Sequence, residues 1–187
     1  MCSFVKILQK CKTYCYMIIM QEQISSCFGG RNDNMLNNKN LYEFNKGTLA
    51  ILPNGKESSL IYEDDSRYII DDNPLSIMED SCKYFGSSYE GRKKGAKEIL
   101  GAEYKVPIVI ADTNELIAFP TTSPRADDCV WISVGRVENI YRVDESNTRI
   151  VFDNKKEIIV PCSLRSMENQ IARATRLKNV LSKRKNS

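Results

Sequence analysis

Histidine occurs nowhere in the 187 residues, and its absence removes several chemistries at once. Without imidazole there is no His general base, no Ser-His or Cys-His nucleophile pair and no His metal ligand. The cysteines, Cys2, Cys11, Cys15, Cys27, Cys82, Cys129 and Cys162, include no C-x-x-C spacing, so neither a zinc ribbon nor a thioredoxin-type site is indicated. Long apolar runs are lacking too. The stretch YCYMIIM from Tyr14 to Met20 falls far short of the roughly twenty residues a membrane-spanning helix needs. Lys6, Lys10 and Lys12 precede it, which keeps a secretory signal open, but Gln21, Glu22 and Gln23 follow in place of a small-x-small cleavage site. An odd cysteine count without a cleavable signal suits a reducing cytoplasm, the expected location. The paired acids Asp64-Asp65, Asp71-Asp72 and Asp127-Asp128 have no matched base or metal partner and read as turns. No catalytic residue, metal or cofactor is therefore expected, and the chain does not read as an enzyme.

What is present is ordinary in amount and uneven in arrangement. Hydrophobic residues make up 42% and charged residues 27%, enough to bury a core, and a net charge of +3 does not by itself indicate a nucleic-acid partner. The charges are segregated, however. Glu57 to Asp80 holds eight acids against one base, Lys83 to Lys97 five bases against one acid, and Pro161 to the end seven bases against one acid. The two basic segments form either one face or two unrelated solvated ones.

Residues 1–40 differ from the rest and read as a poorly ordered extension, with Met35 as the expected natural start, so that 41–187 is the domain proper. From there, Thr48 to Pro53 predicts a strand, Asn54-Gly55 a type I′ hairpin turn, and Ser59 to Glu63 its partner, with a third strand at Tyr68 to Ile70. Asn73-Pro74 opens a helix as N-cap and first residue. Its apolar face is Leu75, Met78, Cys82 and Phe85, and Gly86 closes it. Ser87 or Ser88 caps a second helix over Tyr89 to Leu100, stopped by Gly101. Strands follow at Val106 to Ala111, Leu116 to Phe119, Val130 to Val134, Val137 to Val143, Arg149 to Phe152 and Glu157 to Val160. A turn is expected at Asp112 to Asn114 and a loop at Pro120 to Asp128. The last helix runs from about Leu164 to Lys183, with Leu164, Met167, Ile171, Ala174, Leu177 and Leu181 as its apolar stripe. The plan is α+β, with antiparallel hairpin-rich sheets, two central helices and a C-terminal amphipathic helix. Cys82, Cys129, Cys162 and Trp131 are expected in the core.

Two segments invite a functional reading beside a structural one. In FGSSYEGRKKGAKEILG, Gly91 and Gly95 share a helical face at a cost of about 1 kcal/mol each against alanine. Either the helix packs closely on a neighbouring strand, or its backbone must come close to something bulky, such as a nucleic-acid backbone. In the second case Arg92, Lys93, Lys94 and Lys97 meet phosphates and the Ser87 and Ser88 amides bind another. The last helix, with Arg165, Arg173, Arg176 and Lys178 mostly off its stripe, either docks on its own domain or serves a dimer or a DNA backbone. Lys183-Arg184-Lys185 reads as a frayed tip. Arg125, beside Pro124, is an ordinary loop residue or one that enters a minor groove.

The block IMEDSCKYFGSSYEGRKKGAKEILG from Ile77 resembles the competence transcription factor (ComK) family. YEFNKGTLAILP from Tyr42, VPIVIADTNELIAFPTTS with CVWIS between Val106 and Ser133, and VFDNKKEIIVPCSLRSMENQIARATRLKNVL from Val151 agree in order and spacing. The resemblance spans about Leu41 to Leu181. It implies a cytoplasmic activator of DNA-uptake genes that binds double-stranded DNA at paired AT-rich promoter boxes, chiefly from the minor groove, as a homo-oligomer of dimers or higher. RNA polymerase is a further candidate partner, and no membrane is involved. On this resemblance Ser87, Ser88, Arg92, Lys93, Lys94, Lys97, Arg173 and Arg176 are expected at phosphates and Arg125 at a groove. One departure is the end: the aromatic-rich FMLYP-like tail by which longer members engage a protease adaptor is not found before Ser187. That puts adaptor-controlled turnover in doubt. It also keeps open a short paralogue that modulates a longer relative by association.

Overall fold

The computed structural model describes residues 42–112 and 116–185. The expectations for residues 1–40, including the start at Met35, and the centre of the turn after Asp112 lie outside this range.

Two antiparallel sheets and three helices make up the domain. The larger sheet has the order β3-β2-β1-β6-β5-β4 and the smaller β7-β8-β9, so the α+β plan with hairpin connections is the one observed. The strands of the larger sheet are β1 (Thr48–Pro53), β2 (Ser59–Glu63), β3 (Arg67–Ile70), β4 (Ile108–Ala111), β5 (Leu116–Pro120) and β6 (Trp131–Ser133). Those of the smaller are β7 (Val137–Arg142), β8 (Thr148–Phe152) and β9 (Glu157–Val160). The helices are α1 (Pro74–Tyr84), α2 (Tyr89–Leu100) and α3 (Leu164–Lys185).

Strands β4, β5 and β6 are buried along their whole length, β4 even though it ends the sheet, which is why they read as continuous apolar runs without alternation. On one face Ile51, Ile61, Ile108, Ile110, Ala118 and Trp131 pack against Ile77, Met78 and Cys82 of α1 and Tyr89 of α2. Residues of the opposite parity, Leu52, Val109, Ile117, Phe119 and Ile132, are buried as well, and α3 packs on β5. In the smaller sheet β8 alternates, with Thr148, Ile150 and Phe152 buried and Arg149 and Val151 partly exposed, the pattern of a sheet covered on one side.

Local chemistry accounts for most boundaries. Asn73 accepts from the Ser76 amide at 3.0 Å and Pro74 follows it, worth about 1 kcal/mol to α1. Gly86, at φ +72°, reverses the chain, and the Ser87 amide donates back to the Cys82 carbonyl at 2.9 Å, a Schellman-type closure. Ser88 caps α2 by accepting from the Gly91 amide, and Gly101 ends it in the left-handed region.

Three expectations need correction. Asn54-Gly55 does not form a two-residue type I′ turn. Pro53 pairs with Ser59, so residues 54–58 form the longer loop, Asn54 donates to the Ser58 carbonyl at 2.9 Å, and only Gly55 takes a positive φ. The stripe of α3 is centred on Met167, Gln170, Ala174 and Leu177, with Leu164, Ile171 and Leu181 only partly covered. The tip Lys183-Arg184-Lys185 is helical, and Lys185 pairs with Asp112 at 3.2 Å.

Gln170 explains how a polar residue holds that central place. It is 1% exposed and its amide donates to the carbonyls of Lys105 at 2.9 Å and Pro120 at 2.7 Å. Those carbonyls belong to the segment before β4 and to the end of β5, so one side chain fixes α3 against both. Gln170→Ala strands two carbonyls and should cost about 2 kcal/mol, read as a lower denaturant midpoint with unchanged slope.

Arg136 performs the equivalent task between the sheets. It lies in the short 3₁₀ turn Val134–Arg136 that joins β6 to β7. Its guanidinium donates to Asp64 in the β2–β3 turn, to Asp153 in the β8–β9 turn at 2.8 Å and to the Lys46 carbonyl at 2.7 Å. Asn154 donates to Asp64 at 3.1 Å, and Lys156 reaches the Glu63 carbonyl at 3.2 Å.

Candidate nucleic-acid interface

Helix α2 is held to the core along a narrow line. Tyr89 and Ala96 are its buried residues, and the Tyr89 ring meets Trp131 edge-on with centroids 6.2 Å apart. Burial raises the Tyr89 hydroxyl well above its ordinary pKa, with the nearby Glu90 carboxylate adding to the effect, so it stays a neutral core group. Arg92, Lys93, Lys97, Ile99 and Leu100 flank that line half-buried, and Glu90, Gly91, Lys94, Gly95 and Glu98 are exposed.

The basic residues divide over the two flanks of that line. Arg92 is half-buried on one side, and its Nε has no hydrogen-bond partner among the described residues. Its positive charge lies close enough to the Cys82 thiol to oppose the rise, to about 11, that burial causes. Cys82, Cys129 and Cys162 are free and buried, and burial takes the Cys129 thiol to about 12, so Cys82 and Cys129 behave as inert core thiols; Trp131 is a fully buried core residue.

On the other flank, Lys93 and Lys97 line a groove of about 550 Å³ together with Lys105, Arg125, Tyr104 and Pro124. The fold thus brings Arg125, nearly thirty residues away in sequence, to the same groove as α2. Arg125 is exposed and also borders a second concavity of about 300 Å³ on the far side of Pro124. Both lysines already have partners. Lys93 Nζ lies 3.2 Å from Glu90 and 5.6 Å from the Tyr89 ring centroid, and Lys97 Nζ lies 2.6 Å from Glu103. Lys105 donates to the Thr121 carbonyl at 3.1 Å, which secures the loop that carries Arg125.

Glu90, Gly91, Lys93, Lys94 and Lys97 enclose a shallower concavity of about 440 Å³ on the outer face of α2. Gly91 forms part of its floor. A Cβ at Gly91 would meet only the Ser88 hydroxyl, at 2.8 Å, and one at Gly95 would meet nothing within 4 Å. Close packing on a neighbouring strand is therefore not the reason for either glycine. Both lie on the exposed face, beside an exposed Lys94.

The remaining expected residues fall into place unequally. The Ser87 amide is spent in closing α1, and the Ser88 hydroxyl caps α2. Arg173, exposed on α3, donates to the Tyr104 carbonyl at 3.3 Å, which sets it beside the groove. Arg176 is exposed further along α3. Tyr104 is 82% exposed at the groove and was not anticipated. In sequence it stands alone between charged neighbours, where nothing distinguishes an exposed ring from a core one.

The groove between helix and loop thus sets the cations Lys93, Lys97, Lys105 and Arg125 among the carboxylates Glu79, Glu90 and Glu103 and beside the exposed Tyr104, a surface of mixed charge suited to binding a charged partner. The family model described as ComK protein matches residues 39–186. The competence transcription factor of Bacillus subtilis (strain 168) is 38% identical over 140 residues, covering 73% of this chain and 73% of its own length. No solved structure matches. The chain belongs to the ComK family and is a competence transcription regulator, not an enzyme. Among the described residues no helix is long and apolar enough to cross a membrane.

Proposed function

We propose that the protein binds double-stranded DNA at AT-rich promoter boxes and activates DNA-uptake genes, with α2 and the adjoining groove as its contact surface. The observation that carries this reading is the outer face of α2. Gly95 has open space where a side chain would be, although glycine there costs about 1 kcal/mol against alanine. A helix that must come close to a phosphate backbone accounts for that cost. Lys94 beside it is exposed and has no carboxylate partner among the described residues, so its charge is left for an external anion, and Arg92, half-buried on the same helix, adds positive charge nearby.

Lys93, Lys97, Arg173 and Arg176 add further phosphate contacts in this reading. Ser88 contributes through the positive end of α2. Ser87 serves by shaping the α1–α2 turn. Arg125 is the residue assigned to the minor groove, because it projects from a loop rather than a helix and narrow AT-tracts attract inserted arginines. The active form is a homo-oligomer, in keeping with paired boxes, and RNA polymerase is its further contact.

The test is a titration of the full chain against a duplex with two AT-rich boxes and a GC-rich duplex of equal length, across a salt series. Preference for the AT duplex, weakening steeply as salt rises, is the expected result. Equal or absent binding overturns the reading and points to a modulator that acts by association with a longer relative. Arg125→Ala should lose the AT preference, by about tenfold, with less effect on the GC duplex.

A further inference from the structure

The lysines of the groove are not vacant, and the acids that occupy them are more exposed than the lysines. The Glu103 side chain is 72% exposed over a Lys97 that is 31% exposed, and Glu90 is 69% exposed over a Lys93 at 30%. Each carboxylate is thus the more exposed partner of its pair, and the lysine's charge is met by it before any phosphate arrives. Glu90 also lies in the first turn of α2, where a carboxylate favours the helix dipole, so Glu103 is the clearer case. Glu103 follows the end of α2, and its one hydrogen bond among the described residues is the 2.6 Å contact from Lys97. Glu90 sits at the start of α2 and, among the described residues, pairs with Lys93.

We propose that Glu103, and more weakly Glu90, act as built-in counter-ions that DNA phosphates must displace, and so determine affinity and salt response. This rests on the DNA-binding reading of the same surface. Exposed ion pairs are weak, which suits the role: strong enough to hold the lysine side chains in the groove, weak enough to yield to a phosphate. A displaced pair also changes the ion balance. A lysine that exchanges a carboxylate for a phosphate releases fewer salt ions than a free lysine would, which flattens the salt dependence.

The experiment measures the affinity of the full chain for an AT-rich duplex across salt in the wild type, Glu103→Gln, Lys97→Gln and the double variant. Glu145→Gln in the β7–β8 turn, well away from the groove in sequence, serves as a charge control. Glu103→Gln is expected to tighten binding about fivefold at low salt and to steepen the salt slope by about one. Both effects should vanish in the Lys97→Gln background. Equal tightening by Glu103→Gln and Glu145→Gln, or an undiminished Glu103 effect without Lys97, overturns the proposal while leaving DNA binding intact. Failure of the wild type itself to bind the duplex overturns both.

Discussion

Gly95→Ala should make the protein more stable and a poorer DNA binder. The position is in the middle of α2, fully turned to solvent, and a methyl group there meets nothing within 4 Å. Alanine gains about 1 kcal/mol from helix propensity and the reduced freedom of the unfolded chain. For a domain of this size that corresponds to a melting temperature higher by about 2–4 °C. If α2 lies with its Gly91 and Gly95 face against the DNA backbone, the same methyl holds the helix off the phosphates. Affinity should then fall about tenfold, and further with Gly95→Leu, since a gap of even 1 Å weakens every charge-assisted hydrogen bond on the face. Opposite signs are the diagnostic feature, because a substitution that merely disturbs folding lowers both quantities. Thermal melting and a binding titration on the same preparation check it; unchanged affinity in Gly95→Ala would remove this face from the interface. Lys94→Gln provides the companion measurement, a weaker complex with a salt slope reduced by about one whatever the base sequence.

The second large effect concerns the clamp between the sheets. Arg136 is only 18% exposed and is shared by Asp64 and Asp153. Its hydrogen bonds hold both carboxyls below the usual carboxylate range, and those same bonds raise its own pKa. Arg136→Met leaves two carboxylates facing each other without their cation. Removing one partner of a buried pair costs about 3–5 kcal/mol. The aspartates here are 40% and 49% exposed, so solvent screening reduces the expected loss to about 2 kcal/mol at neutral pH. The pH dependence follows from the direction of the shifts. A carboxyl whose pKa is depressed by folding contributes stability above its unfolded value, near 4, and loses it as pH falls through the folded value. The wild type should therefore lose this contribution below about pH 4. In Arg136→Met the shift is abolished, so the stability gap between the two proteins narrows towards pH 3. Denaturant unfolding at several pH values measures it, and a gap independent of pH would show that the two carboxylates do not carry the clamp.

Local signals in the sequence were sufficient wherever one residue type does one physical job. Asn73-Pro74 started α1, Gly86 ended it, one of the two serines offered, Ser88, capped α2, and Gly101 stopped it. The strand boundaries at Thr48, Pro53, Ser59, Glu63, Glu157 and Val160 fell where apolar runs met turn residues. The same logic failed at Asn54-Gly55, because a turn dipeptide states a preference and the strand register decides the loop length: Pro53 pairs with Ser59 and leaves a longer loop. It failed again at Gln170, which periodicity excluded from the apolar stripe of α3. A buried amide is stable there because two backbone carbonyls from other elements converge on it, and hydrogen-bond satisfaction at a distance has no sequence signature.

The candidate site divides along the same line. The sequence alone showed that no imidazole chemistry and no C-x-x-C metal or redox motif is on offer, and that α2 is a basic helix with an unexplained glycine pair. Only the tertiary structure showed that neither glycine packs against another element: a side chain at Gly91 would meet the Ser88 cap, and Gly95 faces open space. It also brought Arg125 from a distant loop to the groove of Lys93 and Lys97. The physical reason is range. Capping, turn and helix preferences act over a few residues and are written in sequence order. Whether a charge is paired or free, and whether a glycine faces protein or water, depends on which other segments the fold brings within a few ångströms.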